Sequence, residues 1–230
     1  MEGEFDYRAA LTFDDGPSEW TDAVVEELCR HGARATFFVL GDHIAGREEI
    51  LRRAVSAGCE IAIHGRSHRR LTELSNREIR DEMTFTATLI RDVTGRTPSL
   101  WRAPRLSSGW RVRPVCGSLG LREVWLTADT EDYKRETEQV VERAIAGLQP
   151  GAIILMHDGR ASSDSPQESL PDRRGTVAAL PRILVEAKHR GLRMVTVSEV
   201  ANDSAGAIAL PHRSLPAQVW GRARRMVKAG

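Results

Sequence analysis

The chain has 230 residues, 41% of them hydrophobic and 28% charged, so a disordered chain, a collagen and a disulfide scaffold are excluded. A protein of this length buries a real core without staples and falls between one and two domains. Lys and Arg number 33 against 32 Asp and Glu, a formal charge of +1, and no global basic field marks a nucleic-acid partner.

Short apolar runs alternate with longer helical stretches. Ala9 to Phe13 reads as a strand, and Ser18 to Arg30 as a helix capped by Ser18 or Thr21. A second strand follows at Ala35 to Leu40, then a helix from Ile44 to Ala57 ended by Gly58, then a third strand at Glu60 to Ile63. Ser75-Asn76-Arg77-Glu78 has the capping-box pattern and predicts a helix to about Val93. Leu100-Trp101 and Val124-Trp125-Leu126 read as short strands, and Thr137 to Leu148 as a helix. Ala152 to Met156 is a fully apolar strand, Thr176 to His189 a helix, and Met194 to Val197 the last strand. Near-continuous apolar strands between amphipathic helices predict parallel pairing with helical crossovers. Residues 159–175 read as a long loop beside His157 that shapes a substrate cleft, with Arg160, Asp172, Arg173 and Arg174 as candidate contacts. From Ala201 the pattern gives way to a linker and a basic tail, so the chain divides into a domain at 8–200 and a tail at 201–230.

Polar residues crowd the C-terminal ends of these strands, the rim on which a parallel α/β barrel builds its active site. Asp14 and Asp15 follow the first strand, His64 and His68 the third, Arg102 the next; Asp129 and Asp132 follow Leu126, and His157-Asp158 the apolar strand. Adjacent carboxylates before the turn of Gly16-Pro17 read either as a solvated turn or as one metal ligand and one general base. His64 and His68, if helical, lie on one face at zinc-binding spacing; with a carboxylate they form a catalytic set with a position open for water. The sequence is not HExxH, which disfavours a zincin protease. Arg102 offers a guanidinium to orient and ionise a nearby carboxylate.

Taken together and in order, these segments resemble the polysaccharide deacetylase family, the NodB-homology domain. TFDDGP stands at Thr12 to Pro17, and HxxxH at His64 to His68 with Leu71-Thr72-Glu73-Leu74-Ser75 after it. Arg102-Ala103-Pro104-Arg105 matches the RxP motif, Asp129-Thr130-Glu131-Asp132-Tyr133 the DxxDW motif and Leu155-Met156-His157 the LxH motif. Thr196-Val197-Ser198-Glu199 closes the domain. The resemblance implies a distorted (β/α) barrel with its active site on the C-terminal rim. It implies a metal-dependent N-deacetylase acting on an acetamido sugar. Carried over by position, Asp15, His64 and His68 bind the metal, most often Zn2+, with Co2+ or Ni2+ as alternatives. Asp14 is the general base held ionised by Arg102, His157 the general acid tuned by Asp132, and Leu155 lines the acetyl pocket. The backbone N–H of Arg105 is the expected oxyanion donor.

Two positions depart from the family pattern: Arg105 replaces an aromatic residue, and Tyr133 a tryptophan. Both alter the wall that grips a sugar, and Arg105 either meets an anionic group on the substrate or pairs with an acidic loop residue. The same chemistry on a non-sugar amide, cyclic imide or formamide is the alternative function; a non-catalytic carbohydrate-binding protein is a third. The tail places Val219, Trp220, Ala223, Met226 and Val227 opposite Arg222, Arg224, Arg225 and Lys228. Such a helix packs on the barrel or lies on an anionic membrane beside a lipid-linked substrate. Cys29, Cys59 and Cys116 form no CxxC and read as buried free thiols. The acidic first residues carry no apolar leader segment, and the two observations predict a cytoplasmic protein acting on an intracellular glycoconjugate, oligosaccharide or biosynthetic intermediate.

Overall fold

A computed structural model of the chain describes residues 7–203, apart from 166, 168 and 171. Parallel strands form one curled sheet in the order β5 (Arg122–Glu123), β4 (Leu100–Trp101), β3 (Glu60–Ile63), β2 (Ala35–Val39), β1 (Tyr7–Gly16), β7 (Ile153–His157), β6 (Ala128–Asp129). The short strand β8 (Leu192–Met194) pairs with the start of β1. The helices are α1 (Thr21–Arg30), α2 (Gly41–Ile44), α3 (Glu48–Ser56), α4 (Asn76–Thr94), α5 (Val112–Gly117), α6 (Thr137–Gly147), α7 (Arg174–His189) and α8 (Val197–Asp203). The expected distorted barrel is observed as an open half-barrel.

Strand alternation divides the core in two. Leu11 and Phe13 of β1 and Ile154 and Met156 of β7 pack with Val24 and Leu28 of α1 in the larger apolar cluster. Ala10, Phe38, Ala62, Leu100, Val124 and Ile153 form the smaller cluster with Val197 and Val200 of α8. The Thr36 hydroxyl accepts from the Val197 N–H and the Glu60 carboxylate from the Ser198 hydroxyl, so α8 plugs the N-terminal end of the half-barrel.

Several boundaries differ from the sequence reading, each for a local reason. The helix expected over 44–57 is two helices, because Gly46 adopts a left-handed φ of 78° between them. Val124-Trp125-Leu126 is not a strand. It runs from β5 at one end of the sheet to β6 at the other, and its apolar character reflects burial of Val124 and Leu126 across that open seam. The last strand ends at Met194, because Thr196 and Glu199 exchange capping hydrogen bonds that start α8. At the entry to α1 the Thr21 hydroxyl accepts from the Ser18 N–H at 2.8 Å, while the N-cap itself is Trp20. The capping box of α4 forms as expected from Ser75 and Glu78. Among the described residues no helix is long and apolar enough to cross a membrane, and the amphipathic stretch 219–228 lies outside them.

Candidate active site and metal centre

The inner face of the half-barrel leads to the site. Ala10, Thr12 and Asp14 share one face of β1, and Ile153, Leu155 and His157 share the matching face of β7; Asp14 and His157 are paired in register. His64 follows β3 and Arg102 follows β4, each tied to the neighbouring strand through its N–H, His64 to the Val39 oxygen and Arg102 to the Ile63 oxygen. Thus the same parity that buries small apolar residues below carries an acid, two histidines and an arginine to one rim.

Asp15 breaks the pleat. Its φ of 72° is left-handed, a conformation costing a non-glycine residue about 1–3 kcal/mol. The kink swings its carboxylate to the histidines: Oδ1 stands 3.4 Å from His64 Nε2 and 3.3 Å from His68 Nε2. All three donor atoms lie within 4.8 Å of one another, and the three residues are buried. The HxxxH segment is not helical; Gly65 and His68 take positive φ values of 82° and 62°, and this loop geometry aims both rings at Asp15. His64 Nδ1 donates to the Arg102 carbonyl oxygen at 3.0 Å, since a carbonyl only accepts, and this leaves Nε2 as a lone-pair donor. Asp15 Oδ1 is buried with no hydrogen-bond partner, which is what a cation site looks like when its ligand set is built. Burial works to raise the Asp15 carboxyl, but His68, His64, His157 and Arg173 outweigh it and hold the group at about 2.

Asp14 sits beside this set in different company. Arg102, itself buried, donates from Nη1 to Asp14 Oδ1 at 2.7 Å and to the Thr12 hydroxyl at 2.9 Å, with its guanidinium 4.2 Å over the Phe38 ring. The other oxygen, Oδ2, lies 3.7 Å from His64 Nε2.

His157 is held by Asp132: the imidazole Nδ1 donates to Oδ1 at 2.8 Å, and the His157 N–H and the Thr176 hydroxyl donate to Oδ2. Burial alone would lower the His157 pKa, but Asp132 first, then Asp15 and Asp14, raise it to about 9. The Tyr133 ring stands edge-on to His157 with centroids 5.2 Å apart, and Leu155 is buried on the inner face two residues before it. Arg105, with a left-handed φ of 53°, gives its Nη2 to Asp164 Oδ1 at 2.7 Å, so of the two readings of this residue the pairing with an acidic loop residue is the one observed.

The 159–175 segment is built rather than loose. Arg173 is 1% exposed and donates to the Gly159 oxygen, the Ser169 hydroxyl and the Leu170 and Asp172 oxygens, so this expected substrate contact is an internal staple. Arg174 pairs with Asp172. Sequence reading missed Thr176, the partner of Asp132, and His43, whose Nδ1 donates to the Asp15 oxygen at 2.9 Å. Neither residue carries a signal of its own; only packing brings them in.

A parallel half-barrel with a two-histidine, one-carboxylate set on its rim and a buried acid–base pair beside it defines the class of metal-ready amidohydrolase barrels. The chain belongs to the polysaccharide deacetylase family, whose profile matches residues 6–124. It is 34% identical over 195 residues to the peptidoglycan-N-acetylglucosamine deacetylase PgdA of Listeria monocytogenes, matching 84% of this chain and 38% of that protein. It is 33% identical over 190 residues to a chitooligosaccharide deacetylase of Bradyrhizobium, matching 80% of this chain and 86% of the relative. Peptidoglycan deacetylase PdaC from Bacillus subtilis superposes with a TM-score of 0.77 at 28% identity, covering 88% of this chain and 93% of that one.

These relatives correct the cytoplasmic assignment. Two of them are by name peptidoglycan deacetylases, and peptidoglycan is a polymer of the cell wall, outside the cytoplasm. The thiols do not report the compartment either. Cys29 is exposed, contrary to expectation, and burial pushes Cys59 up to about 11 and Cys116 up to about 12, which keeps both thiols protonated at neutral pH.

Proposed function

We propose that this chain is a divalent-metal-dependent N-deacetylase of a glycan built from acetamido sugars, with Zn2+ as the ion. The reading is carried by one observation, the partnerless buried Oδ1 of Asp15 between the Nε2 atoms of His64 and His68. Imidazole nitrogens with one carboxylate suit Zn2+, and Co2+ or Ni2+ next. A cation held there supplies Lewis-acid polarisation of the amide carbonyl and a lowered pKa for water. Asp14 serves as general base: Arg102 occupies Oδ1 and leaves Oδ2 to accept the proton of an attacking water. The water oxygen bonds to the carbonyl carbon, with the Arg105 N–H as donor to the oxyanion. His157 is protonated at neutral pH because its pKa is raised to about 9, and with Nδ1 committed to Asp132 it delivers its proton from Nε2 to the amine as the C–N bond breaks. Acetate and a free amine leave. Leu155 forms the wall against the acetyl methyl group, and Tyr133 part of the wall against the sugar.

The names of the relatives favour acetylated glycans over non-sugar amides, cyclic imides and formamides. The test is acetate release from tetra-N-acetylchitotetraose by zinc-loaded protein. Turnover that Asp14→Asn reduces by about 10²- to 10⁴-fold supports the reading. No release, or release indifferent to Asp14→Asn, sinks it.

A further inference from the structure

A cavity of about 170 Å³ opens beside the turn between β1 and α1. Arg47, Arg160 and Arg173 line it with His43, and Trp20 and Pro17 give it an apolar wall. Arg173 is committed to its own loop, but neither Arg47 nor Arg160 pairs with a carboxylate among the described residues: each gives one Nη to a carbonyl oxygen, Arg47 to His43 and Arg160 to Asp164, and Arg160 keeps its Nε buried without a hydrogen-bond partner. Of the two carboxylates on the lining, Asp172 is committed to Arg174, and Glu19 is exposed. Like charges gathered in a half-buried space repel one another, and the Arg160 Nε lacks an acceptor; an oxyanion relieves both. The cavity also adjoins the metal donors. His43 donates to the Asp15 carbonyl oxygen, and a Cβ on Gly159 would stand 2.0 Å from that oxygen, so one peptide group separates the two spaces.

We propose that this cavity binds a carboxylate carried by a sugar adjoining the one that is deacetylated, with Arg47 and Arg160 as its ligands and Trp20 against the sugar ring. The proposal rests on the glycan-deacetylase reading and narrows its substrate class to acidic glycans. It also moves the anionic-substrate idea from Arg105, whose Nη2 Asp164 holds, to Arg47 and Arg160.

The experiment compares the neutral chitotetraose with an alternating tetrasaccharide whose every second sugar bears a lactyl ether carboxylate. Zinc-loaded full-length protein is assayed on both. Arg47→Gln and Arg160→Gln are each expected to raise KM for the acidic substrate by roughly tenfold, the loss of one charge-assisted hydrogen bond, while kcat and the neutral substrate change less than about twofold. Salt should erode the preference of the unmodified protein for the acidic substrate. Equal KM values for the two substrates, or equal losses on both, overturn the proposal. So does tight binding of inorganic phosphate that both variants abolish without any change in substrate preference, because the site would then serve a free anion. Arg47→Gln lies outside the 159–173 segment and is decisive by itself if Arg160→Gln does not fold. If the unmodified protein deacetylates neither substrate, the glycan-deacetylase reading has failed on its own. Calorimetric binding of the acidic tetrasaccharide then decides the cavity: binding weakened by Arg47→Gln sustains it, and no binding overturns it.

Discussion

Asp14 and Asp15 are adjacent carboxylates with different partners, and a change of backbone conformation between them is the cause. Asp14 is the last inward residue of the pleat and meets Arg102; Asp15, at a φ of 72°, turns out of the pleat and meets two histidines. The Asp14–Arg102 pair is buried, and removing one member strands the other. Arg102→Met is expected to destabilise the fold by about 3–5 kcal/mol in urea melts, with much of the loss recovered in the double variant Arg102→Met/Asp14→Asn. If the double variant is no more stable than the single one, the pair is not what Arg102 is for. His157 makes a pH prediction. On the proposed mechanism the imidazolium is the active form, so activity is expected below its pKa and should fall as pH rises through about 9. Asp132 is the largest influence raising that value, so Asp132→Asn should move the alkaline limb of the kcat profile to lower pH, besides any loss of rate. An unmoved limb would assign the titration to another group.

Elements are readable wherever one periodicity rules. The Ser75–Glu78 box and the Gly95 C-cap at a φ of 71° bracket α4, and sequence reading places that helix within a residue at either end. Ser75→Ala should cost about 1 kcal/mol in thermal or chaotrope unfolding while leaving catalysis alone. The seam at 124–126 reads as a strand because burial across an open sheet edge and burial within a strand produce the same apolar run. The loop after β7 shows the strongest packing constraint in the site. A Cβ on Gly159 would meet the Asp15 backbone at 2.0 Å, so Gly159→Ala is expected to displace Asp15 and weaken zinc affinity, read by competition with a chromophoric chelator. Unchanged affinity would show that the loop yields instead.

At the scale of the molecule, the candidate metal donors join elements distant in sequence. Asp15 follows β1, while His64 and His68 follow β3, so a cation bound there bridges two crossovers of the half-barrel. Zinc at about 100 times its Kd should therefore add about 2.7 kcal/mol to stability, seen as a raised Tm that a chelator reverses. His68→Ala should abolish the zinc-dependent part of Tm. A zinc shift that survives both His68→Ala and His64→Ala would put the ion elsewhere.

The parallel crossover pattern, the main strands and long helices, and the place of Asp14, Asp15, His64, Arg102, Asp132 and His157 at or after strand ends were legible in the residues, while α5, α8 and the two-residue strands β5 and β6 were not. Alternation along parallel strands is a local rule, and it sends Asp14, His64, Arg102 and His157 to the inner face without reference to the rest of the chain. Only the tertiary structure decided that the histidine pair works from a loop, that Arg105 is committed to Asp164, and that Thr176 and His43 orient the site. Those contacts join residues tens of positions apart through packing and left-handed turns, and no periodicity along the chain encodes them.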